Sequence, residues 1–204
     1  LRYLNEECAR IHGDLKPRNV IQLEIDTEDG MQLVWVLIDL DASCAIEALA
    51  GQKVTSSAYF PPEMARRELD HADHQDVVAS IGFEMWYFGV LLYQLCTEDG
   101  VTLWKSNQAD NIGEEETREL AYQWESVKHD KLKEIVWDDA RDLIGHLLSE
   151  DVTERPQTWG EVMSHPFLRR VDEGVPPSPP PRGQTINGPG HWDAMISYTQ
   201  RNTE

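Results

Sequence analysis

Between Val77 and Cys96 the chain carries apolar residues on nearly every face a helix can present: Ile81, Phe83, Met85, Trp86, Phe88, Val90, Leu91, Leu92 and Leu95. A helix apolar all round is stable only where other elements surround it, so this segment belongs at the centre of the fold. What surrounds it is mixed. Val20–Ile25 and Met31–Leu40 are β-rich runs flanking Asp26-Thr27-Glu28-Asp29-Gly30, a spacing that predicts an antiparallel ribbon around an Asp-Gly turn. Amphipathic helical patterns follow around Glu116–Glu125, Asp138–Leu148 and Gln157–Ser164. The last has Arg155-Pro156 before it and His165-Pro166 after it, so proline marks both ends. The expected fold class is α+β, a small antiparallel β-ribbon on a mainly helical body.

At 204 residues the chain suits one domain plus an appendage. Its 18 Lys and Arg stand against 37 Asp and Glu, a formal net charge of −19. A surface that acidic repels phosphate backbones and anionic lipid, which argues against nucleic-acid and membrane-surface partners. No run approaches the ~18 apolar residues of a membrane span. Cys8, Cys44 and Cys96 are odd in number, widely spaced and without Cys-x-x-Cys grouping, a usage that fits a reducing, cytoplasmic setting. Six of the 11 prolines fall between Pro176 and Pro189. That stretch favours extended polyproline geometry and reads as a spacer, with a polyproline ligand for SH3 or WW domains as the weaker alternative. The expected organisation is a folded body over 1–170, a Pro-rich linker over 171–190 and the truncated start of a further domain over 191–204. Without an initiator Met, the chain reads as a piece of a longer one.

His12-Gly13-Asp14-Leu15-Lys16-Pro17-Arg18-Asn19-Val20 sets a carboxylate, a lysine and an amide in a proline-containing loop ahead of a strand. Asp39 follows directly on the apolar run Val34–Ile38. A hairpin returns its second strand beside its first, so Asp39 is expected near Asn19 and Asp14. The set suits phosphoryl transfer. A carboxylate accepts the proton of a hydroxyl nucleophile, a lysine steadies the moving phosphoryl group, and an amide and a second carboxylate offer hard oxygens to Mg²⁺.

The loop resembles the catalytic loop of eukaryotic protein kinases, with Asp39-Leu40-Asp41 standing where that family carries Asp-Phe-Gly. Other motifs agree in order. Tyr59-Phe60-Pro61-Pro62-Glu63 resembles the Ala-Pro-Glu end of the activation segment, and Glu84-Met85-Trp86-Tyr87-Phe88-Gly89 the Asp-x-Trp-x-x-Gly core of the central helix. Leu147–Pro156 is similar to the Leu-x-x-Asp-Pro-x-x-Arg-Pro segment, and His165-Pro166-Phe167 to the closing His-Pro-Phe. The resemblance covers roughly 1–170 and only the larger, C-terminal lobe. No Gly-rich loop or strand lysine of an N-terminal lobe precedes Leu1, so the chain alone is expected not to phosphorylate anything.

The resemblance implies a serine/threonine-type protein kinase that uses ATP and Mg²⁺ on a protein substrate. Asp14 would be the base or orienting carboxylate, Lys16 the phosphoryl stabiliser, Asn19 and Asp39 the metal ligands, and Ile21 the floor of the adenine pocket. Glu63 and Arg155 match a structural ion pair, and Ser56 the loop hydroxyl that touches the catalytic aspartate. The departures matter too. Gly13 replaces an arginine that in the family binds a phosphate on the activation loop, and with Asp14, Lys16, Asn19 and Asp39 retained this favours an active enzyme that is not loop-switched. Asp41 replaces a glycine whose backbone freedom other residues lack, and adds charge beside a metal ligand. Glu84 replaces an aspartate that anchors the catalytic loop. The rival reading is a pseudokinase scaffold. His71 and His74 among Asp70, Asp73 and Asp76 have metal-compatible spacing, though a solvated loop is the plainer reading. His191–Asn202 resembles the opening strand of TIR domains, which implies signalling partners through a TIR-like region.

Overall fold

The computed structural model describes residues 1–27, 30–53, 55–70 and 76–172. The Pro-rich linker beyond residue 172, the TIR-like segment 191–204 and the pair His71 and His74 lie outside the described residues.

The central segment is helical from Ile81 to Cys96 (α3), and Phe83, Met85, Trp86, Tyr87, Val90, Tyr93 and Cys96 are buried on all its sides. The helix starts later than the apolar run because Val77–Ser80 is extended. Ala50 N–H donates to the Val77 carbonyl and Ala79 N–H to that of Ala48, both at 2.8 Å. Ser80 then caps the helix, its Oγ accepting from Phe83 N–H at 3.0 Å.

Short elements precede it: helix α1 (Arg2–Glu6), strand β1 (Arg10–Ile11), strands β2 (Val20–Thr27) and β3 (Gly30–Leu37), strand β4 (Cys44–Ala45) and helix α2 (Pro62–Leu69). Among the described residues five α-helices follow: α4 (Glu114–Tyr122), α5 (Trp124–Leu132), α6 (Asp138–Leu147), α7 (Trp159–Met163) and α8 (Pro166–Asp172). The α+β expectation holds. Helix α8 runs two residues into the stretch expected to be linker.

The single helical pattern around Glu116–Glu125 divides into α4 and α5 at Gln123, whose backbone leaves the helical region (φ −130°, ψ 9°). The break turns Trp124 into the core. Its indole N–H donates to the Leu148 carbonyl at 2.6 Å, and its ring packs on Trp86 and Trp104 with centroids 5.1 and 5.6 Å apart. Aromatic packing outweighs the local gain of one continuous helix.

Strands β2 and β3 form the expected antiparallel ribbon, registered from Val20 opposite Leu37 to Thr27 opposite Gly30. The second strand ends at Leu37, not Leu40, because Asp39 turns into the left-handed region (φ 63°) and Leu40–Ala42 winds into a 3₁₀ turn. Strand β1 pairs with β4, Ile11 opposite Cys44.

The expected Glu63–Arg155 pair ties the segment after the ribbon to the helical body. Arg155 is 1% exposed and its guanidinium meets Glu63 in two parallel bonds of 2.8 Å. It also donates to the carbonyls of Ser149, Gly82 and Glu150. A buried guanidinium is tolerated only when its donors are matched in this way. Among the described residues no helix is long and apolar enough to cross a membrane.

Candidate functional site

The loop between β1 and β2 is held from beneath by α3. His12 N–H donates to the Glu84 carboxylate, and Gly13 N–H reaches its other oxygen at 3.4 Å. Glu84 therefore keeps the anchoring role expected of the family aspartate from one methylene further out. Burial pushes its carboxyl up to about 7, opposed by hydrogen bonds from His12, Gly13 and Asn5.

Asp14, buried at the end of this anchored stretch, gathers the other expected residues. Lys16 Nζ donates to Asp14 Oδ2 at 2.7 Å and to Ser56 Oγ at 2.8 Å. Ser56 N–H points at Asp14 Oδ1 from 3.4 Å. Asn19, brought back by the 3₁₀ turn Pro17–Asn19, donates from Nδ2 to the Asp14 backbone carbonyl at 2.8 Å. That orientation leaves Asn19 Oδ1, a hard oxygen, for other use.

Asp39 enters from the ribbon. Ile38 N–H donates to the Asn19 carbonyl at 2.9 Å, so the residue before Asp39 lies directly beside Asn19. His12 joins both halves. Its Nε2 lies 3.1 Å from the Ile38 carbonyl, and its Nδ1 faces the Asp14 N–H at 3.4 Å, an arrangement of the neutral ring with the proton on Nε2. Burial lowers the His12 pKa, while the Ile38 carbonyl and the charges of Asp14 and Asp39 push the other way. Both carboxylates thus act on one imidazole. The Asp39 side chain is exposed, and no cation among the described residues pairs with it. Ile21 is half-buried on β2 opposite Val36. In the sequence, only the position of His12 directly ahead of the Gly13-Asp14 pair signals this joining role.

Asp41 does not carry the backbone strain its position suggested. Among the described residues the non-glycine ones with positive φ are Ala9, Asp39, Glu47 and Asp110, and Asp41 lies inside the 3₁₀ turn. Beside the loop hydroxyls runs a groove of about 880 Å³, lined by Thr55, Ser57, Phe60, Met64, Arg67 and Ile112 among others. Elsewhere, Asp142, His146 and His165 cluster at the contact of α6 with α8. His165 Nδ1 accepts from Phe167 N–H at 3.2 Å, which puts its proton on Nε2, the atom facing Asp142 at 3.0 Å. The cluster is a hydrogen-bonded tie between helices.

The protein kinase domain family matches residues 1–168 of this chain. The chain belongs to that family. Among relatives, a calcium/calmodulin-dependent protein kinase of Emericella nidulans is 28% identical over 173 residues, covering 83% of this kinase chain and 36% of that protein. A serine/threonine-protein kinase of Caenorhabditis elegans is 27% identical over 157 residues, covering 76% of this chain and 13% of that protein. Among solved structures, the Cydia pomonella granulovirus kinase PK-1 superposes with a TM-score of 0.52 at 20% identity, over 79% of this chain and 52% of that one. This kinase chain therefore spans well under half the length of these curated relatives and about half of the solved kinase.

Proposed function

We propose that the chain supplies the phosphoryl-transfer centre of a serine/threonine protein kinase acting on protein hydroxyls. The observation that carries this is the Lys16 ammonium bridging the Asp14 carboxylate and Ser56, with Asn19 folded back onto Asp14. Asp14 takes the proton of the incoming serine or threonine hydroxyl. Lys16, already within 2.7 Å of that carboxylate, holds positive charge where the transferred group gains negative charge. Asn19 Oδ1 and the Asp39 carboxylate are the hard oxygens that fit Mg²⁺. Ile21, half-buried on the ribbon, would lie under the adenine. When bound, Mg²⁺–ATP supplies the transferable γ-phosphoryl group with its charge partly neutralised. The groove beside Ser57 offers room for a substrate segment. Three free thiols fit a cytoplasmic setting, and signalling partners through a TIR-like region rest on the sequence of 191–204 alone.

The test is phosphotransfer by the full-length protein against its Asp14→Asn variant. A loss of about 10²–10⁴-fold is expected. Equal, negligible transfer by both would instead support the scaffold reading, against which the retention of Asp14, Lys16, Asn19 and Asp39 weighs.

A further inference from the structure

Gly13 has φ +78°, and a β-carbon there would lie 2.7 Å from the Ala42 carbonyl oxygen and 3.3 Å from the carbonyl carbon. Both obstacles are backbone atoms, so no change of rotamer relieves the contact. Ala42 closes the 3₁₀ turn that follows Asp39. The segment carrying that turn is tied at both ends. On one side Ile38 is bonded to Asn19 and His12. On the other, Arg10 donates to the Ser43 carbonyl at 2.8 Å and β4 pairs with β1. Between these ties the turn rests on Gly13, which is itself bonded to Glu84 from within the core.

We propose that Gly13 is a positioning residue: the space of its missing side chain seats the Leu40–Ala42 turn on the loop and thereby fixes Asp39 relative to Asn19, with no phosphate on residues 55–57 required. The arginine that the family resemblance would put here has no room beside Ala42. Of the three hydroxyls on residues 55–57 that a loop phosphate would use, Thr55 Oγ1 is buried and the other two are engaged. Ser56 Oγ accepts from Lys16, and Ser57 Oγ accepts from Ile112 N–H at 3.0 Å. The seat is a matter of packing alone, whereas its consequence for metal binding rests on the phosphoryl-transfer reading.

Amide hydrogen exchange on the full-length protein tests the seat, with Gly13→Ala and Gly13→Asn compared to the parent. Asparagine tolerates positive φ better than alanine but brings the same β-carbon. The expected result is that both variants exchange the Ser43 amide at least tenfold faster while amides of α3 keep the parent rate. Three results overturn the proposal: an unchanged Ser43 amide, an equal rise across α3 (including outright unfolding), or parent-like behaviour of Gly13→Asn, which would reduce the glycine to a φ preference. Mn²⁺ binding followed by electron paramagnetic resonance in the presence of ATP reads the consequence. Gly13→Ala is expected to weaken it about tenfold, as a shift in Asp39 requires. If the parent binds no Mn²⁺, the phosphoryl-transfer reading falls and the exchange rates still decide the seat.

Discussion

Glu84 is fully buried and accepts backbone N–H groups from His12 and Gly13, more than 70 residues away in sequence. Its pKa is raised from 4.5 to about 7, chiefly by burial, so the folded protein holds this proton more tightly than the unfolded chain. The stabilisation from that proton is complete below 4.5, declines as pH rises, and is gone above about 7. Glu84→Gln cannot titrate. Urea unfolding at pH 4 and pH 8 is therefore expected to show the parent losing about 3 kcal/mol relative to the variant as pH rises. His12, with its lowered pKa, acts in the opposite sense, losing stability as pH falls, but it is present in both proteins and the comparison removes it. A gap between parent and variant that does not change with pH would show that Glu84 titrates as an ordinary carboxyl. The sequence identified the Glu84 anchor through family resemblance; that its proton is held so tightly depends on a burial no local pattern reports.

Helix α3 meets α6 at Gly89. A β-carbon there would come within 2.8 Å of Leu148 Cδ2 and 2.9 Å of Leu147 Cβ, so the glycine sets how closely the helices approach. Gly145, on α6, differs. A β-carbon there meets only Leu132 Cδ1, at 3.4 Å, the far end of a flexible side chain. Gly89→Ala is expected to destabilise by about 1–3 kcal/mol through overpacking. Gly145→Ala is expected to be neutral or stabilising by about 0.5–1 kcal/mol, since alanine lowers the backbone entropy lost in a helix. Thermal unfolding of the pair checks this, and equal effects at the two positions would remove the contact argument. The motif resemblance takes in Gly89 and not Gly145, but it does not say what either position touches. Periodicity located both helices within a few residues, but only their packing separates the glycine that spaces them from the one that does not.

At the scale of the whole fold, the described residues gather a large apolar core that includes α3, whereas much of the β2–β3 ribbon beyond Val20 and Leu37 is open to solvent. Met31, Leu33 and Trp35 are 63%, 60% and 52% exposed. Side chains that lose little water on folding contribute little to stability. Leu33→Lys is accordingly expected to shift the unfolding free energy by less than about 0.5 kcal/mol, while reducing self-association in sedimentation or light scattering. A larger loss of stability would mean that Leu33 is covered in the folded protein. The β-rich runs that predict this ribbon carry no sign that the face of Met31, Leu33 and Trp35 is so open, because exposure depends on what packs against a strand rather than on its own residues.

The sequence by itself determined the central helix, the ribbon, the family and the order of the motifs, because apolar periodicity and short fixed spacings act over a few residues. Only the tertiary structure decided that Lys16 links Asp14 to Ser56, that His12 joins the loop to the Asp39 segment, and that the left-handed backbone falls on Asp39 while Asp41 is relaxed. The contacts of His12 with Ile38 and of Lys16 with Ser56 join residues 26 and 40 positions apart. Their geometry follows from how the ribbon and turn come to rest on Gly13 and α3, and local sequence preferences do not encode that packing.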